Sequence, residues 1–280
     1  MTNHETPQFF PNRRQQRLFA IVHAPASNAA DIAVVYCAPL FEDKLWAHRI
    51  AVDFGRSLAA RGIPALRFDY YGDGESEGLF EDASIDSRLD DIVDAVEFFS
   101  AAIQCKRIFL VGLCYGATLA LAAASRSNTI AGVAAWQPVL DGSRYVGDLL
   151  RANLTTQMVL YKKVLHDRDT LVAQIRAGNT VNVEGYEIGS RLYDQITALD
   201  VSLALNASVK PLLILQIAPG ANTEREYTAL ETNPPAKLEF QKVREIKFWV
   251  QQRQAFPVCV ELFNSTVDWI LRQVDPTAVE

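Results

Sequence analysis

Residues 107–124 read RIFLVGLCYGATLALAAA and predict a strand, a sharp turn and a helix in immediate succession. The run from Ile108 to Val111 is apolar, as expected for a strand buried on both faces of a parallel sheet. The residues after the turn are nearly all Ala, Leu and Thr, which favours a close-packed helix. Between them, residues 112–116 read GLCYG, a G-x-C-x-G form of the nucleophile elbow G-x-S-x-G. The stretch therefore predicts a turn that raises Cys114 above the edge of a sheet.

The residue types in this turn suit a cysteine nucleophile. An elbow residue adopts a strained backbone conformation, and Gly112 and Gly116 avoid clashes with the neighbouring strand and helix. Cys114 would also lie at a helix N-terminus, where free N–H groups and the dipole favour an anion. We therefore expect a lowered thiol pKa. The alternative is a tight turn around a small buried residue.

Composition limits the classes of function. The chain has 280 residues, of which 49% are hydrophobic and 21% charged, and its net charge is -6. These values are ordinary for a globular protein and argue against a nucleic-acid partner. The N-terminus lacks the apolar core of a signal peptide, and no apolar run is long enough to span a membrane, so we expect a cytoplasmic protein without membrane insertion. The four cysteines, at 37, 105, 114 and 259, have no C-x-x-C spacing, which favours reduced thiols.

Strand and helix patterns alternate along most of the chain and predict an α/β fold with a mostly parallel sheet covered on both faces. The first two clear strands are RLFAIVHAP and IAVVYCAPL. Helices are predicted over 44–62, ended by Gly62, and from Ser84, a predicted N-cap, to 102. Residues 141–206 are polar and helical without strand signals, so we interpret them as an inserted helical lid. The core would then comprise residues 1–140 and 207–280.

Several segments carry a family resemblance. Residues 68–78, FDYYGDGESEG, resemble the D-x-x-G-x-G-x-S loop of α/β hydrolases, and residues 111–117, VGLCYGA, resemble their elbow. Residues 134–154, 183–200 and 245–252 more narrowly resemble the group called exosortase A system-associated hydrolase 2. Members of that group are encoded beside exopolysaccharide and PEP-CTERM sorting genes. The resemblance implies the α/β-hydrolase fold over nearly the whole chain, but a fold does not determine a reaction.

An α/β hydrolase needs an oxyanion hole and, in chain order, a nucleophile, an acid and a histidine. Cys114 takes the nucleophile position. The backbone N–H of Tyr115 is one predicted oxyanion donor, and that of Leu40 or Phe41, in the loop after VVYCAP, is the second.

The acid and the base are harder to assign. The histidines are at 4, 23, 48 and 166, and none follows the strand AKLEFQKV. The usual base position falls in VREIKFW, with Arg244, Glu245 and Lys247, and the usual acid position falls in GANTERE, with Glu224 and Glu226. We predict instead Asp141 as a substitute acid and His166, reaching down from the lid when it closes, as the base; the alternative for His166 is a solvated lid residue. A thiol depends less on a base than a serine hydroxyl does, because it is already partly ionised.

Four further residues are candidates for substrate binding, each with a structural alternative: Glu42 as a solvated loop carboxylate, His48 as a helix-surface residue, and Cys37 and Trp136 as core residues. Cys37 ends a strand predicted to run beside that of Cys114, so a relay between the two thiols is a further alternative.

The leading hypothesis is acyl transfer from an ester or thioester through Cys114, by a hydrolase or an acyltransferase, on a small acyl substrate that a carrier could present as a thioester. No cofactor is predicted, because residues 72–74 lack the rest of a dinucleotide loop, and no metal site is predicted from ligand spacing. The alternative is a catalytically silent binding protein of an exopolysaccharide or protein-export pathway. The sequence does not predict the oligomeric state.

Overall fold

The computed structural model describes residues 4–26, 31–251 and 258–274. Eight of the described strands form one sheet. They are β1 (His4–Pro11), β2 (Arg17–Ala24), β3 (Ala33–Cys37), β4 (Ala65–Phe68), β5 (Ile108–Leu113), β6 (Ile130–Trp136), β9 (Leu212–Ile217) and β10 (Leu238–Val243). Their order in the sheet is β1-β2-β4-β3-β5-β6-β9-β10. Strands β1 and β2 form an antiparallel hairpin, β2 pairs antiparallel with β4, and the remaining pairs are parallel.

Helices cover both faces of this sheet. Helices α1 (Phe41–Ala60) and α9 (Val260–Arg272) contact each other and pack on one face, while α2 (Ile85–Ile103) and α3 (Tyr115–Ala123) pack on the other. The strands β3, β5 and β9 are buried at every residue, as the apolar sequence runs predict for the centre of a parallel sheet. The core helices are α1 (Phe41–Ala60), α2 (Ile85–Ile103), α3 (Tyr115–Ala123), α8 (Thr228–Thr232) and α9 (Val260–Arg272).

Two helix ends have the local geometry that the sequence predicts, at Ser84 and at Gly62. Ser84 caps α2, because its side chain accepts a hydrogen bond from the Ser87 N–H. Gly62 follows α1 with φ at +80°, a conformation that costs glycine little, and its N–H donates to the Ala59 carbonyl.

The segment between β6 and β9 contains four helices and a second, small sheet. The helices are α4 (Gly142–Tyr161), α5 (Arg168–Arg176), α6 (Ser190–Ala198) and α7 (Val201–Ala207), and the sheet is the hairpin β7 (Val181–Val183) with β8 (Tyr186–Ile188). This hairpin contradicts the prediction that residues 141–206 are helical without strands. Glu184 and Gly185 both have positive φ, at 51° and 90°, which is the geometry of a tight hairpin turn.

Strand β1 was also not predicted. Its residues are mostly exposed and it lies at the edge of the sheet, so it has no buried apolar face that a hydrophobic pattern would reveal. Within the described residues, none of the helices combines the length and the apolar character that crossing a membrane requires.

Candidate active site

Cys114 forms a sharp elbow between β5 and α3. Its backbone lies at φ 49° and ψ -123°, a strained conformation for a residue with a side chain. The conformation is held by hydrogen bonds on both sides: the Cys114 N–H donates to the Trp136 carbonyl at 3.0 Å, and the Cys114 carbonyl accepts from Ala117 at 3.1 Å. The elbow therefore fixes the direction of the Cys114 side chain.

The two glycines of the elbow are required by close backbone contacts. A Cβ on Gly116 would lie 2.3 Å from the carbonyl oxygen of Ala38, and one on Gly112 would lie 2.5 Å from that of Gly116. The loop after β3 thus packs directly on the first turn of α3, with no room for a side chain between them. This contact brings the two predicted oxyanion loops together.

Cys114 lies at the base of a cleft with an empty volume of about 930 Å³, which we call the elbow cleft. Apolar residues and seven charged side chains line it, and five of the seven are carboxylates. The charged residues of the lining are Asp43, Asp141, Arg144, Asp148, Glu224, Glu226 and Lys247. The cleft therefore has an acidic wall.

Asp43, in the first turn of α1, lines the cleft together with Cys114. Its carboxylate accepts a hydrogen bond from the Tyr145 hydroxyl of α4 at 3.1 Å. Removal from water raises the pKa of Asp43 to about 7, although the interactions with Tyr145 and with the Cys114 thiol act in the opposite direction. A carboxylate with a pKa near neutrality can take a proton from the thiol.

The expected lowering of the thiol pKa was wrong. Burial raises the pKa of Cys114 well above its ordinary value, and the negative charge of Asp43 raises it further. Only 4% of Cys114 is exposed, so a thiolate there is poorly solvated. Lys247 is the charged group that lowers this pKa. The resting thiol is therefore neutral.

Lys247 and Glu224 form an ion pair at 2.8 Å within the elbow cleft. Glu224 follows β9 and Lys247 follows β10. They therefore occupy the usual positions of the acid and of the base, respectively. Gln137 Nε2 donates to the Glu224 carboxylate at 2.9 Å, and Gln137 Oε1 accepts from the Ile217 N–H at 2.7 Å. The glutamate is thus tied to the end of the central sheet.

The predicted oxyanion residues lie at two helix N-termini. Tyr115 is the first residue of α3, Leu40 is the N-cap of α1, and Phe41, with φ at 56°, is the first residue of α1. First-turn N–H groups have no partner within their own helix, so they are free to face an oxyanion.

Of the predicted acid and base, Asp141 lies in the elbow cleft and His166 does not. Asp141 lines the elbow cleft, but its carboxylate caps α4 by accepting from the Arg144 N–H at 2.9 Å. The structure does not bring His166 to Cys114. It is exposed, its backbone is held by the Gln157 side chain, and it lines a separate pocket within residues 141–206.

The four predicted substrate-binding residues lie outside the elbow cleft lining. Glu42 neighbours Asp43 and its charge contributes to raising that pKa, while His48 lines another cavity on α1. Trp136 points into the core, where it contacts Phe54 at 4.7 Å between ring centroids. Cys37 is fully buried, and its pKa is raised by burial. Both Trp136 and Cys37 are therefore core residues in this fold.

Sequence reasoning missed Asp43 and set aside Glu224 and Lys247. Asp43 could have been predicted from its position in the first turn of the helix after the oxyanion loop. It directly follows Glu42, which was predicted instead as a substrate-binding residue. One position on a helix rotates a side chain by about 100°, which decides whether it faces the elbow. Among the described residues, no cluster of His, Cys, Asp and Glu is arranged to hold a metal ion.

The sequence matches the family model of the alpha/beta hydrolase family over residues 24–255. The chain belongs to the alpha/beta hydrolase family. In this alpha/beta hydrolase the nucleophile, acid and base loops follow the usual chain order, but a lysine stands in the loop that usually supplies histidine. Among curated proteins, no sequence matches this chain.

Solved structures share the fold at low sequence identity. Est1E from Butyrivibrio proteoclasticus, with ferulic acid bound, is similar over 95% of this chain and 99% of its own at 14% identity and a TM-score of 0.65. The esterase PF2001 from Pyrococcus furiosus covers 97% and 91% at 16% identity and a TM-score of 0.63. DcsB, in complex with its substrate analogue, covers 97% and 100% at 14% identity and a TM-score of 0.67. At these identities the likeness concerns the fold.

Proposed function

We propose that this alpha/beta hydrolase transfers acyl groups from esters or thioesters through a covalent intermediate on Cys114. The observation that carries the proposal is the placement of the Cys114 thiol, on a strained elbow, in the same cleft as the Asp43 carboxylate that acts on its pKa. A half-buried carboxylate with a pKa of about 7, in one cleft with a nucleophile at a helix N-terminus, is an arrangement typical of active sites.

In the first half-reaction, Asp43 takes the proton of the thiol as Cys114 sulfur attacks the acyl carbonyl carbon. The carbonyl oxygen becomes an oxyanion, which the N–H of Tyr115 and that of Leu40 or Phe41 stabilise. The C–O or C–S bond to the leaving group then breaks, and protonated Asp43 returns its proton to the departing oxygen or sulfur. The product is a Cys114 acyl thioester.

In the second half-reaction, Asp43 takes a proton from water or from an acceptor hydroxyl, which attacks the acyl thioester. Thiolate leaves from the tetrahedral intermediate and recovers the proton from Asp43. The ion pair of Lys247 and Glu224 is an electrostatic support: its ammonium favours the thiolate, while Glu224 and Gln137 hold it in position.

The composition of the elbow cleft supports a substrate class. Five carboxylates against two cationic groups disfavour an anionic acyl group, so neutral or cationic acyl groups are the better substrates. Thioesters suit the site because a thiol leaving group needs little acid assistance. The carrier of such a thioester would approach over residues 141–206, which we propose act as the lid.

The test is acyl trapping followed by intact-mass spectrometry. The protein is mixed with p-nitrophenyl butanoate and with the N-acetylcysteamine thioester of butanoate, and the proposal predicts a single butanoyl adduct that Cys114→Ala cannot form. Cys105→Ala, which removes another buried thiol, is the matched control and should keep the adduct. Absence of an adduct and of turnover with both donors would contradict the proposal.

One observation favours a second candidate function. The raised pKa of Cys114 and the lack of a histidine in the elbow cleft suit a silent site that binds rather than reacts. The chain would then be a binding protein in an exopolysaccharide or protein-export pathway, the setting of the exosortase-associated group that its sequence resembles. An unreactive Cys114 with saturable binding of a neutral ligand in the elbow cleft would support this candidate.

A further inference from the structure

A second cavity, separate from the elbow cleft, lies between α1 and the strands β2, β3 and β4. Its empty volume is about 480 Å³, and we call it the Arg67 cavity. Its walls are mainly apolar and include Phe19, Ile21, Ala47 and Ala51. Ala38 and Pro39 also line it, so it lies behind the loop that leads to the oxyanion residues Leu40 and Phe41.

Arg67 supplies a cationic group to this cavity. Its Nε donates to His23 Nε2 at 2.9 Å, and no carboxylate is placed in ion-pair contact with its guanidinium among the residues that the structure describes. Burial and the charge of Arg67 lower the pKa of His23 to about 4, so His23 is neutral and can accept this bond. Burial also lowers the pKa of Arg67, but a guanidinium keeps its charge in proteins.

Tyr36 supplies a hydroxyl beside that guanidinium. Tyr36 and Arg67 are register partners on β3 and β4, so their side chains project from the same face of the sheet. Only 4% of Tyr36 is exposed, it lines the cavity, and its hydroxyl has no hydrogen-bond partner. A buried hydroxyl without a partner is costly, which suggests that a ligand completes the site.

The remaining charges of the cavity limit the ligand to one negative charge. Lys44 also lines the cavity, but it is already held by Asp69 at 2.7 Å and by Asp73 at 3.1 Å. Arg67 is thus left to balance a ligand by itself. A phosphate dianion would keep one uncompensated charge next to Asp69 in a largely apolar space, whereas a carboxylate would not.

We propose that the Arg67 cavity binds a small monocarboxylic acid with an apolar chain. The carboxylate accepts hydrogen bonds from the Arg67 guanidinium and the Tyr36 hydroxyl, and the chain lies against Ile21, Ala47 and Ala51. This proposal is independent of acyl transfer at Cys114, because its residues line a different cavity.

The test is titration of the full chain with hexanoate, followed by methyl chemical shifts and calorimetry. Hexanoate should shift the methyl signals of Ile21, Ala47 and Ala51 and leave those of Val139 and Leu140, in the elbow cleft, unchanged. Hexanol, hexanamide and inorganic phosphate should each bind at least about 10-fold more weakly, since none offers one negative charge on an apolar chain. Equal binding of hexanol, tighter binding of phosphate, or shifts confined to Val139 and Leu140 would each overturn the proposal.

Two variants test the polar contacts. Tyr36→Phe removes a hydroxyl that has no protein partner, so the fold should be kept while hexanoate binds about 10-fold more weakly. Arg67→Met should abolish detectable binding. Tyr161→Phe, at an exposed tyrosine of α4, is the matched control and should bind like the unmodified protein. Unchanged affinity in Tyr36→Phe would overturn the assignment even if Arg67→Met failed to fold.

Discussion

Lys247 and Glu224 form an ion pair at 2.8 Å in the two loops that follow the last parallel strands β9 and β10. Their loops are those that supply the acid and the base in the usual order of this family. A lysine ammonium donates but does not accept hydrogen bonds, so it cannot replace histidine as a base while it is charged. It can favour a thiolate, and in the proposed mechanism Asp43 moves the proton.

Loss of this ion pair should slow acyl transfer. Lys247→Met removes the cation that lowers the thiol pKa, so kcat/KM for a butanoyl thioester should fall about 10- to 100-fold and its pH profile should move upward. Lys242→Met is the matched control, because Lys242 also pairs with a glutamate at 2.8 Å but lies outside the elbow cleft. An equal loss in both variants would point to a general effect of surface charge.

Asp43 should destabilise the fold above neutral pH. Its pKa is raised from 3.8 to about 7, so the folded state holds this proton more tightly than the unfolded state, and stability falls as pH rises from about 4 to 7. Asp43→Asn should therefore raise the free energy of unfolding by about 2 to 4 kcal/mol at pH 8 and by progressively less toward pH 4. Urea unfolding at several pH values measures this difference in the free energy of unfolding. Glu42→Gln, one residue away, should show no comparable dependence of the difference on pH. If the difference for Asp43→Asn did not change with pH, a raised pKa of Asp43 would be contradicted.

Gly116→Ala should disrupt the elbow. The added Cβ would lie 2.3 Å from the Ala38 carbonyl oxygen, so the loop after β3 must move, at a cost of about 3 kcal/mol. Thermal unfolding should show a clear fall in Tm together with lost acyl trapping. Gly220→Ala is the control, because a Cβ there meets nothing within 4 Å and should leave Tm nearly unchanged.

Tyr186 should link the lid to the oxyanion loop. Its ring lies 5.4 Å from that of Phe41 and 5.1 Å from that of Phe80, measured between centroids. Tyr186→Ala should loosen the hairpin of β7 and β8, increase proteolysis within residues 141–206 and lower kcat, with the core sheet retained. Tyr161→Ala, at an exposed position of α4, should have none of these effects. If residues 141–206 of Tyr186→Ala resisted proteolysis as well as those of the unmodified protein, this link would be refuted.

The sequence predicts the central architecture because buried parallel strands and their flanking helices leave strong apolar patterns. The G-x-C-x-G turn, the Ser84 cap and the left-handed Gly62 are local signals, and each has its expected geometry. Strand β1 and the hairpin of β7 and β8 were missed since short or edge strands bury too little surface for such a pattern. The Glu184-Gly185 turn between alternating residues was a usable hairpin signal.

The site was less predictable than the fold. Cys114 was found from its motif, whereas its main partner, Asp43, comes from a distant part of the chain and carries no motif. Preference for histidine as a base led to His166, which the structure keeps within the lid. The direction of the thiol pKa was also wrong, because a helix dipole can be inferred from sequence but burial and a facing carboxylate cannot.

The rate of Cys114 alkylation by iodoacetamide, measured against pH by intact-mass spectrometry, shows whether Asp43 accepts the thiol proton. If Asp43 accepts the thiol proton, the rate should rise through an inflection near pH 7, the pKa of Asp43. In Asp43→Asn that inflection should be absent, with reaction appearing only at higher pH. Superimposable profiles for the two proteins would contradict the pairing of Asp43 with Cys114.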